Sequence, residues 1–184
     1  MIYPIIVYGH TALRGETKEI EKDYPGLEQM IKDMFTTMQN ADGIGLAAPQ
    51  IGFPIRLFVI DLSVLEEKSP IYAGFKKVFI NPEIVERSKE TASLEEGCLS
   101  LPGVNERVIR PAKIRIRSLN EAFEEQEDEF DDYFARVIQH EYDHLEGRLF
   151  IDHISPIRRQ MNKSKLNGML KGKVRCKYNV RTVH

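Results

Sequence analysis

The sequence predicts a single α+β domain spanning residues 1–184, with a mostly antiparallel or mixed sheet packed around a central helix and further helices before and after it. Two stretches have helical periodicity, and the segment between them contains short runs rich in β-branched residues. Strands and helices are segregated rather than alternating, which argues against a parallel βαβ sheet. The length suits one buried core, and no repeat or linker divides the chain.

The first helix is predicted to start at Pro25, a residue favoured in a first helical turn. Apolar residues then recur with the 3.6-residue period that places them on one face of a helix. They are Leu27, Met30, Ile31, Met34, Phe35 and Met38. We expect this face to pack on the core.

The middle of the chain is predicted to form short strands. Apart from Arg56, residues 55–60 are apolar and rich in β-branched side chains, as in a buried strand, and 78–80 and 84–85 flank a break at 81–82. Apolar and charged residues alternate in 113–117, which indicates a strand with one face in water. These segments together predict a sheet connected by turns.

The second half of the chain is predicted to hold two more helices. One begins near Asp131 or Asp132, whose side chains can cap free N–H groups, and stops at Gly147. The other covers 155–172, and a short strand is predicted around 174–178. The third helix is expected to direct these residues inward: Ile157, Met161, Leu166, Met169 and Leu170.

Composition and charge exclude several functional classes. The net charge of -2 gives no positive field that would gather nucleic acid or anionic lipid, so neither direct sequence-specific nucleic-acid binding nor membrane binding is expected. The apolar stretch 2–8 is short, contains Pro4 and has no Lys or Arg before it, unlike a secretory signal or membrane span. We therefore expect a bacterial cytoplasmic protein.

Residues 139–147 read Q-H-E-Y-D-H-L-E-G and contain the pattern H-E-x-x-H. On a helix, His140 and His144 lie one turn apart on one face, where both imidazoles can bind one divalent ion, and Glu141 can reach a water molecule there. The pattern could also be ordinary helix surface, but Val137 aligns with both histidines on an otherwise amphipathic helix. The other histidines lack this spacing and are interpreted as surface or cap residues: His10, His153 and His184.

Two imidazoles are too few, because catalytic metal sites usually have three protein ligands. Glu146, Asp152 and His153 follow the motif and remain candidates for the third. The other candidate is Cys98, in the segment 95–100 that reads E-E-G-C-L-S. Two cysteines cannot build a disulfide framework, so Cys98 is either a functional thiol or simple filler. A thiolate with two imidazoles would suit a borderline or soft divalent metal.

A third segment, 43–50, reads G-I-G-L-A-A-P-Q. Its side chains are too small for a core element and too apolar for an ordinary loop. It lacks the Lys-Ser/Thr ending of a P-loop and the third glycine of a dinucleotide fingerprint. It is either a site of close contact with an extended chain or a tight turn between helix and strand.

In this order and spacing, the three motifs resemble those of the peptide deformylase family. The resemblance continues through the strand segments between the motifs and to I-S-P-I at 154–157, so it covers nearly the whole chain; the tail 171–184 is less typical. It implies a metal-dependent hydrolase that removes the N-formyl group from the N-terminal methionine of newly synthesised proteins and releases formate.

The resemblance also implies roles for particular residues. Cys98, His140 and His144 would be the metal ligands, and Glu141 would shuttle protons. The first three residues would thus bind the metal, and the fourth would carry out the proton transfers.

Binding roles follow from the same resemblance. Gln50 and the Leu99 N–H would stabilise the oxyanion that forms at the formyl group. Gly45 and the neighbouring backbone would hold the peptide extended, while Ile44, Leu99 and Val137 would wall the methionine pocket.

The family resemblance implies one divalent metal per chain, with Fe²⁺ as the physiological ion and Zn²⁺, Ni²⁺ or Co²⁺ as alternative occupants. The implied partners are N-formylmethionyl nascent polypeptides, with a transient contact to the ribosome. Two rival hypotheses remain at this point: an H-E-x-x-H endopeptidase that cuts internal peptide bonds, and a non-catalytic module that only binds a metal or a nascent chain.

Overall fold

A computed structural model describes residues 1–183 and confirms the α+β fold class. Within these residues no helix is both long enough and apolar enough to cross a membrane. The helices are α1 (Leu27–Asn40), α2 (Asp132–Leu145), α3 (Pro156–Met161) and α4 (Lys163–Leu170). The strands are β1 (Ile5–Ile6), β2 (Gly45–Ala47), β3 (Leu57–Asp61), β4 (Lys76–Arg87), β5 (Thr91–Gly97), β6 (Asn105–Pro111), β7 (Ile114–Leu119), β8 (Glu125–Phe130) and β9 (Val180–Arg181).

The largest sheet has five antiparallel strands in the order β2-β3-β4-β7-β8, and a helix covers each face. On β3, Leu57 and Val59 pack in the same cluster as the apolar stripe of α1. Phe58 and Ile60 point the other way and pack with α2. Every residue of β3 is therefore buried, which explains its uninterrupted apolar run.

Helix α2 lies between the five-stranded sheet and the β5-β6 hairpin. Its Arg136 donates to the carbonyls of Val108 (2.9 Å) and Ala92 (2.7 Å), and Gln139 donates to the Pro111 carbonyl (3.0 Å). These bonds join the helix to β5 and β6, and apolar packing joins it to the larger sheet. The predicted central position of the motif helix is confirmed.

The ends of the first two helices differ in detail from the prediction. Helix α1 starts at Leu27 rather than Pro25, because Gly26 has a left-handed φ of 71° and cannot continue a helix. Asp131 is the N-cap residue of α2, but its side chain makes no capping hydrogen bond. At the other end, Gly147 has a φ of 65° and stops the helix as expected.

The predicted break at 81–82 is wrong, since β4 continues through both residues. The register with β7 shifts between Ile80 and Glu83, which is a β-bulge. Asn81 has a φ of 47°, and its side-chain amide bonds both the N–H and the carbonyl of Ile20, each at 2.9 Å. The bulge is thus held by a contact with a segment far away in the chain.

The predicted third helix is two helices, α3 and α4. Asn162 separates them, and its side chain donates to the Glu106 carboxylate at 2.7 Å. Leu166 and Met169 on α4 are buried as expected. The inward orientation of three other residues is wrong, because they are exposed: Ile157 (71%), Met161 (68%) and Leu170 (41%). Because the helix is interrupted at Asn162, Ile157 and Met161 on α3 do not continue the buried face of α4, and Leu170 is the last residue of α4.

The strand predicted at 174–178 is also wrong, because the tail pairs further along, as β9. It runs parallel to β1, where the N–H groups of Ile5 and Val7 donate to the carbonyls of Asn179 (2.9 Å) and Arg181 (3.0 Å). The position of β9 therefore follows from the backbone N–H groups of Ile5 and Val7, which are the donors that β1 and the next residue offer.

Candidate metal centre and active-site cleft

The three predicted ligands meet in one place. Cys98 follows directly after β5, whereas His140 and His144 lie one turn apart on α2. One donor atom from each lies within 4.8 Å of the others, and Cys98 Sγ is 3.4 Å from His144 Nε2. A sulfur and two imidazole nitrogens so close together are a donor set suited to one borderline divalent ion.

A buried carboxylate orients the first imidazole. Glu96, two residues before Cys98, accepts hydrogen bonds from His140 Nδ1 (2.8 Å), from Arg136 (2.6 Å) and twice from Arg110 (2.7 and 3.0 Å). Burial alone would raise the pKa of Glu96, but its bonds to His140 and Arg110 hold that pKa well below its ordinary value. A carboxylate can only accept, so His140 Nδ1 carries a proton, and Nε2 is the nitrogen that can bind a metal ion in exchange for a proton.

The electrostatics of the cluster favour a cation. Burial lowers the pKa of His144 to about 3, so this imidazole is neutral, as a metal ligand must be. Burial also tends to lower the pKa of His140, but the Cys98 sulfur and Glu96 together raise it by more. The pKa of His140 is therefore well above its ordinary value. A position that stabilises positive charge in this way fits a bound divalent ion.

Glu141 lies beside the cluster with one oxygen uncommitted. The residue is buried, and burial raises its pKa to about 7. Its Oε2 has no hydrogen-bond partner within residues 1–183. A Cβ on Gly45 would lie 2.4 Å from Glu141 Oε1, so only glycine leaves room for this carboxylate.

Gln50 is fixed by hydrogen bonds at both ends of its amide. Its Oε1 accepts from the Ala47 N–H at 2.8 Å, and this assigns the amide nitrogen to the opposite side. Nε2 donates to Ser100 Oγ at 3.1 Å and lies 3.6 Å from Cys98 Sγ. The amide N–H groups are therefore directed to the Cys98 sulfur and its surroundings.

These residues share one open cleft of about 840 Å³. His144 lies behind its wall, nearly inaccessible to solvent. The other predicted site residues line it: Ile44, Gly45, Gln50, Cys98, Leu99, Val137, His140 and Glu141. The glycine-rich segment is thus part of the cleft and not merely a connecting turn.

The alternative third ligands have other partners. Glu146 pairs with Arg56 (2.8 Å), Asp152 with Arg14 (2.5 Å) and His153 with Asp143 (2.7 Å). The expected cap role holds for His10, whose Nδ1 accepts from the Ala12 N–H at 3.1 Å. His184 lies outside the described residues.

The sequence motifs alone assign no role to the charged residues behind the cluster, Glu96, Arg110 and Arg136. Two features of the sequence indicate that the two arginines face the cluster. Arg136 precedes His140 by four residues and so shares its helix face. On β6 the buried positions alternate, and Arg110 lies on the inward face with Val108.

The family model described as "Polypeptide deformylase" matches residues 2–160 of the chain. The chain belongs to the peptide deformylase family. The peptide deformylase of Salinibacter ruber is 49% identical to this deformylase over 183 residues, covering 97% of this chain and 93% of the relative. That of Christiangramia forsetii is 45% identical, covering 98% and 96%. A solved peptide deformylase from Legionella pneumophila superposes with a TM-score of 0.82 at 37% identity, covering 95% of this chain and 99% of that one.

Membership confirms the predicted activity: this deformylase is a hydrolase that removes the N-formyl group from formyl-methionyl chains. Its natural substrates are formylated nascent peptides. The family is metal-dependent, and the Cys98, His140 and His144 cluster is a candidate metal site. Membership favours this reading over both rival hypotheses, the endopeptidase and the non-catalytic binding module.

Proposed function

We propose that deformylation depends on one divalent metal ion held by Cys98, His140 and His144. The observation that carries this proposal is the convergence of their donor atoms within 4.8 Å, from two elements far apart in the chain. The bond from His140 Nδ1 to Glu96 supports it further, because it is the arrangement common behind metal-binding histidines. A bound ion would supply Lewis-acid chemistry, polarising the formyl carbonyl and lowering the pKa of a water molecule.

Glu141 is the proposed acid and base. A pKa of about 7 lets one carboxylate take a proton from the attacking water and then give it to the leaving amine. The water oxygen forms a bond to the formyl carbon, the C–N bond breaks, and the products are formate and a free N-terminal methionine. The buried and unpaired Oε2 supports this role, since it has no competing partner among residues 1–183.

Gln50 Nε2 and the Leu99 N–H are the proposed donors to the oxyanion. Gln50 is held beside the Cys98 sulfur by the Ala47 N–H and Ser100, so its amide needs no reorganisation during the reaction. Leu99 directly follows Cys98 and lines the cleft. Removing one such donor costs about 10²–10³-fold in kcat in comparable sites.

The peptide is proposed to bind along β2. This strand is at the edge of the five-stranded sheet, and Gly45 exposes its backbone in the cleft without a side chain in the way. An extended peptide can add to such an edge through backbone hydrogen bonds. Ile44, Leu99 and Val137 line the cleft beside it and are the proposed walls of the methionine pocket.

We further propose Fe²⁺ as the physiological ion, with Zn²⁺, Ni²⁺ or Co²⁺ able to occupy the same donors. Affinity order alone disfavours Fe²⁺, so the occupant depends on supply and on oxygen. Anaerobic and aerobic preparations compared for iron content and formate release test this. We expect activity to fall with iron content in air, because the ion and the Cys98 thiolate are both oxidisable.

The remaining proposals concern context. The chain is proposed to act as one domain over residues 1–184, supported by α2, which bonds or packs against both major sheets. A cytoplasmic location and a transient ribosome contact suit a substrate that is still being synthesised. Direct sequence-specific nucleic-acid binding is not proposed, since the net charge of -2 supplies no attraction to phosphate.

The decisive experiment measures metal content and formate release from a formyl-Met peptide for the wild type, Cys98→Ala and Glu141→Ala. We expect Cys98→Ala to lose both, while Glu141→Ala keeps the metal and loses turnover by about 10²–10⁴-fold. Cys176→Ala is the matched cysteine control and should keep its metal. Full metal and rate in Cys98→Ala would refute the ligand set, and cleavage of an internal bond without formate release would support the endopeptidase instead.

A further inference from the structure

The tail after α4 forms part of the cleft, although it lies outside the span 2–160 that the family model matches. Arg175, Cys176 and Tyr178 all line the cleft that contains the metal centre. The tail is fixed there by the pairing of β9 with β1. It is therefore a wall of the active site with a defined position.

The N-terminal segment that contains β1 also bonds the 98–101 loop, which carries the Cys98 sulfur. The Val7 N–H donates to the Arg181 carbonyl (3.0 Å), and the next residue, Tyr8, donates its N–H to the Ser100 carbonyl (2.9 Å). The tail and the 98–101 loop are thus attached to adjacent residues of one backbone. These backbone hydrogen bonds alone position the tail relative to the loop, without any contact from a side chain of the tail.

One side chain of the tail uses this position to contact the loop. The Tyr178 hydroxyl donates a hydrogen bond to the Leu99 carbonyl at 2.7 Å. The same peptide group carries the N–H of Ser100, which donates to Cys98 Sγ at 3.4 Å. Hydroxyl, peptide group and sulfur therefore form a chain of two hydrogen bonds. Donation to a carbonyl polarises the peptide and makes its N–H a stronger donor.

The hydroxyl is suited to remain a donor throughout the reaction. Burial raises the pKa of Tyr178, and the neighbouring sulfurs of Cys176 and Cys98 raise it further, so the phenol keeps its proton. A hydrogen bond to sulfur withdraws electron density from it. A metal ion held by that sulfur would then be a stronger Lewis acid.

We propose that Tyr178 is a positioning residue of this deformylase, which acts through the Leu99–Ser100 peptide group on the Cys98 sulfur. It fixes the backbone that also carries the Leu99 N–H, the proposed oxyanion donor, and it strengthens the N–H···S bond of Ser100. The inference rests on the proposed role of Cys98 as a metal ligand. It extends the active site to a residue of the tail that no motif includes.

The test uses the full-length protein loaded with Co²⁺, whose thiolate charge-transfer band reports on the sulfur directly. Tyr178→Phe keeps the ring and removes only the hydroxyl. We expect the band to move to longer wavelength, since the sulfur becomes more electron-rich, with bound Co²⁺ unchanged at one ion per chain. We expect kcat to fall about fivefold with KM unchanged, less than the roughly 10- to 100-fold loss on removing a direct partner of a ligand.

Tyr24→Phe is the matched control, because Tyr24 is a part-buried tyrosine of the cluster around α1. It should leave both the band and kcat as in the wild type. An unshifted band in Tyr178→Phe would overturn the proposal, whether or not kcat or the melting temperature falls. A wild-type protein that binds Co²⁺ without any thiolate band would instead overturn the ligand assignment, and these two failures are distinguishable.

Discussion

Replacement of Gly45 by alanine tests the geometry of the active site most directly. The added Cβ would lie 2.4 Å from Glu141 Oε1 and 2.8 Å from both Cδ and Cγ. Normal contact requires about 3.5 Å, so the carboxylate or strand β2 must move by about 1 Å. Glu141 is only 4% exposed, so most of its side chain is packed against neighbours and cannot move without losing those contacts.

Two effects of different size follow from this displacement. Overpacking of this kind costs about 1–3 kcal/mol in stability, equivalent to a melting temperature lower by roughly 2–12 °C for a chain of this length. A misplacement of about 1 Å at a reacting group costs about 100-fold in rate. Gly45→Ala should therefore remain folded at 25 °C, bind its metal and lose about 99% of its kcat/KM for formate release.

The matched control is Gly15→Ala. Its Cβ would meet only backbone oxygens at 3.8 and 3.9 Å, which is ordinary van der Waals contact, so rate and melting temperature should match the wild type. Formate release, metal content and thermal unfolding are measured on all three proteins. If Gly45→Ala worked at the wild-type rate, the position of Glu141 would not matter to the reaction, and its role as acid and base would be wrong.

Three further predictions follow from the buried charges and the metal. Glu96→Gln leaves the buried Arg136 without a carboxylate partner and leaves Arg110 paired with Asp143 alone, so urea unfolding at pH 7 should show a loss of about 3–5 kcal/mol; a loss under about 1 kcal/mol would contradict this. Burial raises the pKa of Asp152, but Arg14, the Leu149 N–H and Arg159 together lower it more, so the folded pKa lies below the ordinary 3.8. The stability advantage of the wild type over Asp152→Asn should therefore be full at pH 7 and vanish as the pH falls below about 3.8, and a difference that does not vary with pH would refute it. Chelation of an ion present at 100 times its Kd should lower the free energy of unfolding by about 2.7 kcal/mol, reversed by Co²⁺ or Zn²⁺, whereas an unchanged melting temperature would exclude a folded-state metal site.

Local periodicity accounts for what the sequence predicted well. The spacing of His140 and His144 fixes their relation on any helix, so two of the three candidate ligands could be placed together without coordinates. The stripe of α1 and the uninterrupted apolar run of β3 likewise depend on neighbours within a few residues. Cys98 could be placed near the histidines only through the family resemblance, because nothing local connects β5 to α2.

Contacts between distant segments account for what the sequence could not predict. Asn81 looked like a strand break, but its amide bonds Ile20, 61 residues away, and turns the break into a bulge. Asn162 interrupts a helix because it bonds Glu106, 56 residues away. The bond of Tyr178 to Leu99 spans 79 residues. Each contact is made by one side chain whose partner no periodic pattern indicates.

The cleft is lined both by residues within the span matched by the family model and by residues of the tail beyond it. This difference matters for selective inhibition. A small chelating compound would engage the ion and the motif residues, all within the span matched by the family model, and would have little basis for telling one family member from another. An acidic group extended towards Arg175, which is exposed at the cleft, would engage the tail instead. Potency against this enzyme would then come mainly from binding the metal. Selectivity over relatives whose tails differ would come from contacts with Arg175 and its neighbours.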